Sequence, residues 1–203
     1  MLDLLHAIAA RDEDEVARLL QASPALATSP VASGATRQEA THYYLEAIGH
    51  YVYAGDTALH IAAAAYDASL VHTLLAMGAG VDARNRRGAE PLHYAADGSP
   101  GSDSWNPAAQ AAVIAALIAA GADPNATDTS GVAPLHRAVR TRCSAAVRAL
   151  LDGGADPRQP NKSGSTPLKL ATRPTGRGGS GSPDAKAQQA EIVAILEQHG
   201  GTP

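Results

Sequence analysis

The sequence is poor in aromatic residues and in cysteine. Phenylalanine is absent from the 203 residues, tryptophan and cysteine each occur once, and aromatic side chains make up 3% of the chain. Small and aliphatic side chains must therefore build the core, and the abundance of Ala and Leu favours helices. The single Cys143 excludes an intrachain disulfide, which is typical of a protein kept in a reducing cytoplasm.

The chain also lacks a strong charge excess and a long apolar run. Its net charge is −4 and its pI is about 6.0, which argues against a general nucleic-acid or membrane-surface protein. No stretch reaches about 18 apolar residues without charge, so we expect no membrane-spanning helix. The start, MLDLLHAIAARDEDE, lacks the basic region of a signal peptide. We predict a cytoplasmic protein, and the bias toward Arg and Ala favours a GC-rich bacterial genome.

What the chain does contain is an internal repeat. Four segments align: GDTALHIAA, GAEPLHYAA, GVAPLHRAV and GSTPLKLAT, with their leucines at Leu59, Leu92, Leu135 and Leu168. The first and last steps are 33 residues long, and the middle step is 43. A glycine marker downstream, at Gly78, Gly121 and Gly154, keeps the same last two steps. Repetition at a fixed period of this size indicates a stacked repeat architecture.

Local chemistry fits two helices per repeat. Proline at the start of PLHRAV suits a first helical turn, where a missing N–H costs little. The downstream glycine can end the second helix in a left-handed conformation. With its T-P-L-H-x-A pattern and period of 33, the chain resembles the ankyrin repeat family. The resemblance implies an all-α solenoid of helix-turn-helix units joined by short β-hairpin loops.

We predict a single ankyrin repeat domain over residues 1–203. Its predicted parts are an N-terminal cap at 1–24, an insertion with a short helix at 25–50, repeats at 51–83, 84–126 and 127–159, and a C-terminal repeat at 160–203 with a flexible loop at 173–186. The insertion would lie on the hairpin side, between the cap and the next hairpin. The spacing of Tyr43, Tyr44 and Ile48 predicts its helix at about 37–48, and a hairpin through HYVYAGD follows.

The repeated histidines His60, His93 and His136 occupy the PLH pattern. In ankyrin repeats this histidine bridges neighbouring backbones by hydrogen bonds, so the resemblance implies a structural role. A joint metal site would need ligands about 2 Å from one ion, which a repeat spacing opposes. We therefore predict no metal, no cofactor and no catalytic residues.

The insertion concentrates tyrosine and histidine in a chain that is otherwise poor in aromatics. These rings could pack the insertion onto the array or form a recognition surface, since Tyr is enriched in binding hot spots. A catalytic role for His42 or His50 is a third reading, but no nucleophile elbow, P-loop or metal motif accompanies them.

The resemblance implies binding through hairpin tips and the concave inner-helix face. Aligned to the repeat, the candidate partner-binding residues are Tyr43, Tyr51, Tyr53, Arg86, Arg87, Tyr94, Arg137 and Arg140. Arginine fits carboxylate or phosphate geometry, so an acidic segment of another protein is the expected partner, although ordinary solvated arginines would look the same. We expect a monomeric, non-enzymatic protein-interaction module that binds neither nucleic acid nor membranes. The alternative is a small-molecule binder or uncommon enzyme with a pocket formed by the insertion at 37–53.

Overall fold

The computed structural model describes residues 1–100, 105–173 and 183–203. These residues form ten α-helices, and the predicted all-α repeat is confirmed. The first helices of the successive pairs are α1 (Leu2–Ala10), α3 (Ala58–Ala64), α5 (Pro91–Ala96), α7 (Pro134–Thr141) and α9 (Pro167–Thr172). The second helices are α2 (Glu13–Ala22), α4 (Ala68–Ala76), α6 (Pro107–Ala119), α8 (Ser144–Asp152) and α10 (Pro183–Gln198).

The helices pack in two layers, as the repeat requires. Each first helix contacts the first helix of the next pair, which builds an inner layer, and from α4 onward the second helices contact one another in an outer layer. One continuous core of Leu, Ile, Val and Ala runs between the layers. Because no pair can bury its apolar face alone, stacking of neighbours supplies most of the stability.

The helix ends follow the chemistry read from the sequence. Proline opens α5, α7 and α9, and the Thr166 hydroxyl accepts a hydrogen bond from Lys169 N at 3.2 Å. The predicted glycines Gly78, Gly121 and Gly154 follow the outer helices with φ of 88°, 100° and 92°. A side chain would be strained at these left-handed positions, which is why each repeat keeps glycine there.

Backbone hydrogen bonds join the hairpin tips into one edge. Arg86 N donates to Ala54 O at 2.8 Å, and Thr129 N donates to Arg87 O at 2.8 Å. Lys162 N donates to Ser130 O at 3.3 Å, so the pattern continues to the last repeat. The tips therefore form a ladder that fixes the spacing of the repeats.

Buried histidines link each inner helix to the next hairpin. The backbone N–H of Glu90 donates to His93 Nδ1 at 3.1 Å, and His93 Nε2 donates to Val132 O at 3.0 Å. A backbone N–H can only donate, so Nδ1 accepts and the neutral ring carries its proton on Nε2. His60 bridges in the same way to Ala89 O at 3.1 Å, and His136 to Ser165 O at 3.2 Å. The structural role implied by the resemblance is confirmed for all three.

The insertion does not form the helix predicted at 37–48. It contains 3-10 turns at Pro24–Ala27, Thr41–Tyr43 and Glu46–Ile48, and a two-stranded hairpin of β1 (Tyr44–Leu45) with β2 (His50–Tyr51). Within that hairpin Tyr44 and Tyr51 are exposed, whereas Leu45 is buried. This alternation suits a strand, and Tyr is itself favourable there. Near the start of the predicted helix the Thr36 hydroxyl accepts a hydrogen bond from Glu39 N at 3.1 Å, but the described residues that follow form no α-helix before α3.

The insertion extends the ladder of hairpin tips and then crosses to the inner layer. Val31 N donates to Asp56 O at 2.7 Å, and Gly55 N donates to Val31 O at 2.8 Å. Gly34 lies so close to the next hairpin that a Cβ would meet Ala54 N at 2.5 Å. The Glu46–Ile48 turn contacts α1, so the segment reaches beyond the hairpin side to which we assigned it.

A buried polar cluster ties the base of the insertion to the second repeat. Asp56 is fully buried, and both of its carboxylate oxygens accept from the Tyr94 hydroxyl, at 2.8 and 2.9 Å. Asn85 Nδ2 donates to Asp56 Oδ1 at 2.8 Å, and Tyr53 N donates to Oδ2 at 2.7 Å. A buried carboxylate is tolerated only with such donors. The cluster therefore fixes the hairpin tip that contains Asn85 relative to the one that contains Asp56.

Two connectors between inner and outer helices interrupt the repeat. The flexible loop predicted at 173–186 lies largely outside the described residues, as do residues 101–104 of the earlier connector. The described part of that earlier connector places Trp105 on the core, where its Nε1 donates to Gln110 Oε1 at 3.0 Å. Gln110 in turn donates to Ala95 O at 2.9 Å, so this tryptophan packs locally.

We expect the histidine bridges to make the protein acid-sensitive. Burial, together with the charge of Arg137, lowers the pKa of His93 to about 4, whereas an unfolded histidine titrates near 6.5. Stability is thus intact above pH 6.5 and falls as the pH decreases toward 4. As the pH falls from 7 to 5, the unfolded state takes up a proton at His93 that the folded state does not, and the free energy of unfolding should decrease by about 2 kcal/mol. Urea titration at the two pH values measures this decrease.

His93→Gln should be less stable than the unmodified protein at pH 7 but should lose this part of the pH dependence. The exposed His72→Gln variant is the control, and equal pH slopes for all three proteins would contradict the prediction.

Removal of the Tyr94 hydroxyl should destabilise the fold from within the buried cluster. Tyr94→Phe leaves Asp56 with fewer donors, and we expect a loss of about 1–3 kcal/mol in the free energy of unfolding. Tyr51→Phe is the matched control, because its ring is 39% exposed, and it should change stability by less than about 0.5 kcal/mol. Urea unfolding at pH 7 measures both, and equal stabilities of the two variants would show that the cluster contributes nothing.

Candidate functional site

A polar cavity of about 550 Å³ opens where the insertion, the hairpin tips and the inner helices meet. We call it the polar cavity, and its principal residues are His50, Tyr94, Asp97, Asp128, Arg137 and Arg140. Its volume lies in the range typical of small-molecule sites and of pockets that accept a partner's side chain. Its lining comes from β2, from the hairpin tips at Arg87 and Thr129, and from the helices α5 and α7.

The floor of the cavity is Tyr94, and the tip of the insertion covers it. The His50 ring lies 4.4 Å from the Tyr94 ring, centroid to centroid, at 62°. Burial lowers the pKa of His50, although Asp97 and Asp56 act in the opposite direction. His50 is therefore neutral at pH 7, and its Nε2 is buried without a hydrogen-bond partner.

The wall of the cavity is an ion-pair network around Arg137. Its Nη1 donates to Asp97 Oδ2 at 2.8 Å, and its Nη2 donates to Asp128 Oδ2 at 3.2 Å. The side chain is 12% exposed, and its Nε has no hydrogen-bond partner. Burial opposes ionisation of Asp128, but the backbone N–H groups of Val132 and Ser130 and the Arg137 guanidinium together lower its pKa. Both ends of the Arg137 guanidinium are thus held in place by carboxylates.

The rim of the cavity carries arginines that are less constrained. Arg140 is 57% exposed and approaches Asp97 only at 3.7 Å, beyond hydrogen-bond distance. Arg87 is exposed, and its guanidinium lies 4.2 Å from the centroid of the Tyr53 ring. This cation–π contact holds the guanidinium over the ring.

The structure brings together five of the eight residues predicted from the sequence. Tyr53, Arg87, Tyr94, Arg137 and Arg140 all line the polar cavity. One of them requires correction, because the Tyr94 side chain lies under His50 and is only 2% exposed. It forms the floor and supports Asp56, so it does not offer a surface to a partner.

The other three predicted residues lie outside the cavity lining. The Tyr43 hydroxyl is 3.0 Å from Ser33 Oγ within the insertion, so this ring packs locally. Tyr51 is exposed against Tyr44, with ring centroids 4.8 Å apart. The Arg86 guanidinium donates to the carbonyl of Ala35, so Arg86 fastens the insertion to the hairpin tip. The insertion itself contributes only His50 and Tyr53 to the cavity.

Sequence reasoning missed the two acids of the wall. Asp97 directly follows α5, where the longer middle step of the repeat begins, and Asp128 lies in the hairpin 31 residues later. Neither position has a distinctive local pattern. Only their shared contact with Arg137 identifies them, and that contact depends on how α5 and α7 stack.

The described residues contain no group of three or more His, Cys, Asp or Glu side chains placed to hold a metal ion. Cys143 is buried, and this burial raises the pKa of its thiol to about 11, which disfavours the nucleophilic thiolate. None of the described helices is both long enough and apolar enough to span a bilayer.

Comparison with protein families agrees with the architecture. A model described as ankyrin repeat matches residues 54–86 and 87–129, and a model described as ankyrin repeats in many copies matches residues 117–171. A search of curated proteins found no match. The family matches together cover more than half of the chain and coincide with the stacked helix pairs and their histidine bridges. The chain therefore belongs to the ankyrin repeat family.

Proposed function

We propose that this protein is a non-enzymatic interaction module whose partner contacts the hairpin tips and the inner-helix face around the polar cavity. Ankyrin repeats are generally protein–protein interaction modules and are typically not enzymes. In this proposal the chain acts as a cytoplasmic monomer, its partner is another protein, and it binds neither nucleic acid nor membranes. The partner presents an acidic segment to the arginine rim.

The single observation that supports this surface is the weak pairing of the Arg87 and Arg140 guanidinium groups with carboxylates. Arg140 is largely exposed and its pairing with Asp97 is long, at 3.7 Å, and Arg87 lies over an aromatic ring with no ion pair within the described residues. The two arginines of the second helices differ from this pattern, since Arg18 and Arg148 each meet a glutamate within 3 Å. Weakly paired cations beside a cavity suit the recognition of carboxylates.

Arg86 does not belong to the proposed contact surface, although it sits at the same hairpin tip. Its guanidinium already binds the carbonyl of Ala35, so a change there would release the insertion and alter several contacts at once. A test of the rim must therefore leave Arg86 in place.

We predict that charge reversal at the rim abolishes partner capture. A photo-crosslinking residue at Thr129, an exposed hairpin tip, should trap a partner from a lysate of the organism that encodes the chain. In the Arg87→Glu/Arg140→Glu variant the yield should fall about tenfold or more, because two attractive contacts become repulsive. Mass spectrometry identifies the trapped protein and the crosslinked segment, which should be rich in Asp and Glu.

Two controls make the result specific. The Arg18→Glu/Arg148→Glu variant carries the same charge change on the outer helices and should capture the partner as well as the unmodified chain. A crosslinker at the exposed Ala115 of α6 should trap little. Equal capture from Ala115 and Thr129, or equal loss in both charge-reversed variants, would refute the proposed surface.

A further inference from the structure

The polar cavity contains buried groups that the fold itself leaves unsatisfied. Among the described residues, His50 Nε2 and Arg137 Nε are buried atoms without a hydrogen-bond partner, and both side chains line the polar cavity. A buried donor without an acceptor destabilises a protein, so native structures rarely keep two beside one another. Their position at one cavity indicates that a guest or ordered water supplies the acceptor.

The charge of the lining selects the kind of guest. Three arginines and two aspartates line the cavity, which leaves an excess of one positive charge, and Asp97 and Asp128 both bind Arg137. Asp56 lies behind the floor, where Tyr94 and Asn85 occupy its oxygens. A single anionic group would meet the positive side of the lining at Arg87 and Arg140, whereas a second anion would be repelled by the two acids of the wall.

The donors favour a planar acceptor. Asp97 and Asp128 hold both terminal nitrogens of Arg137 in place, so its Nε is the one guanidinium nitrogen without a hydrogen-bond partner among the described residues. Arg140 retains donors of its own at the rim because its contact with Asp97 is long. Guanidinium N–H groups match the two oxygens of a carboxylate, and the neutral His50 ring adds one further donor in the tautomer that carries its proton on Nε2.

We infer that the polar cavity is a receptor for one carboxylate, which is held by Arg140, Arg137 and His50. This inference rests on the proposed function, because it assigns the carboxylate to an Asp or Glu side chain of the partner's acidic segment. His50 lies on the Tyr94 ring in the lining of the cavity, and its Nε2 has no hydrogen-bond partner within the described part of the protein. The insertion therefore takes part in binding as well as in packing, since its tip residue completes the donor set.

The test uses the purified full chain and two probes with the same chemistry from different sources. The first is an acetylated, amidated tetrapeptide with one Glu, with the corresponding Gln peptide as its neutral control. The second is succinate, a free small acid. Titration is followed by the ¹⁵N signals of the arginine Nε–H groups and the histidine rings. We expect saturable shifts at Arg137, Arg140 and His50 with the Glu peptide, no shift with the Gln peptide and weaker binding of succinate.

Arg140→Gln should weaken peptide binding about tenfold, as expected for the loss of a charge-assisted hydrogen bond. Arg140 is exposed, so this variant should fold normally, and Arg148→Gln on α8 is its matched control with no expected change. Equal, non-saturating shifts at all arginines would reveal ionic-strength effects only and overturn the inference. Saturable binding of succinate without binding of the peptide would overturn the assignment of the carboxylate to a partner segment.

The two proposals can fail separately. If Thr129 captures a partner but the peptide and succinate do not bind, the interaction surface stands and the carboxylate receptor is refuted. If the peptide saturates the cavity while Thr129 captures nothing, the receptor stands and the proposed partner surface fails.

Discussion

The buried histidine at the start of an inner helix is the contact on which the geometry of the array depends. It accepts a hydrogen bond from its own hairpin backbone and donates one to the next hairpin, so a single neutral ring fixes two repeats at once. Burial lowers the pKa of all three histidines, which keeps the rings neutral, and the backbone hydrogen bonds then set the tautomer. Where Lys169 replaces the histidine, α9 has no such ring, and the Thr166 hydroxyl instead donates to the carbonyl of Thr202 at 2.7 Å. The last repeat is thus closed by the segment that follows α10, whereas the earlier ones are closed by the next hairpin.

Regular spacing is also what creates the polar cavity. The ladder of hairpin tips and the stacked inner helices place Asp128 and Arg137 on one repeat opposite Asp97 on the previous one, and Arg137 joins them. A buried arginine is costly unless its hydrogen bonds are satisfied, so its position is set by two carboxylates rather than by flexible packing. The insertion then covers the Tyr94 side of this network with His50.

The repeats could be predicted from the sequence because their signals are local and occur several times. Proline at a helix start, glycine at a helix end and the histidine pattern each act within a few residues, and stacking reinforces them. The insertion occurs once and has no such reinforcement. The spacing of Tyr43, Tyr44 and Ile48 fits a helix, but Leu45 is buried while Tyr44 is exposed, as in a strand. The backbone pairs across the segment instead: Val52 N donates to Tyr43 O at 2.8 Å and Ala35 N donates to Val52 O at 2.7 Å. Tertiary pairing therefore overrode a weak helical pattern. The burial of Tyr94 and the shared contact of Asp97 and Asp128 with Arg137 depend on how neighbouring repeats stack. No local sequence pattern at these residues indicates such contacts.

In the proposed carboxylate receptor, the repeats and the insertion have different roles. The repeats supply a fixed wall, since carboxylates hold both ends of the Arg137 guanidinium. The insertion supplies His50, which packs on Tyr94 from the end of a two-residue strand. A site whose donors are held in place before binding has a smaller ordering cost. The insertion, all of which the structure describes, lies outside the repeat and has no histidine bridge. Its aromatic rings are divided: Tyr44 and Tyr51 are exposed against each other, whereas Tyr53 lies under Arg86 and Arg87 next to the cavity.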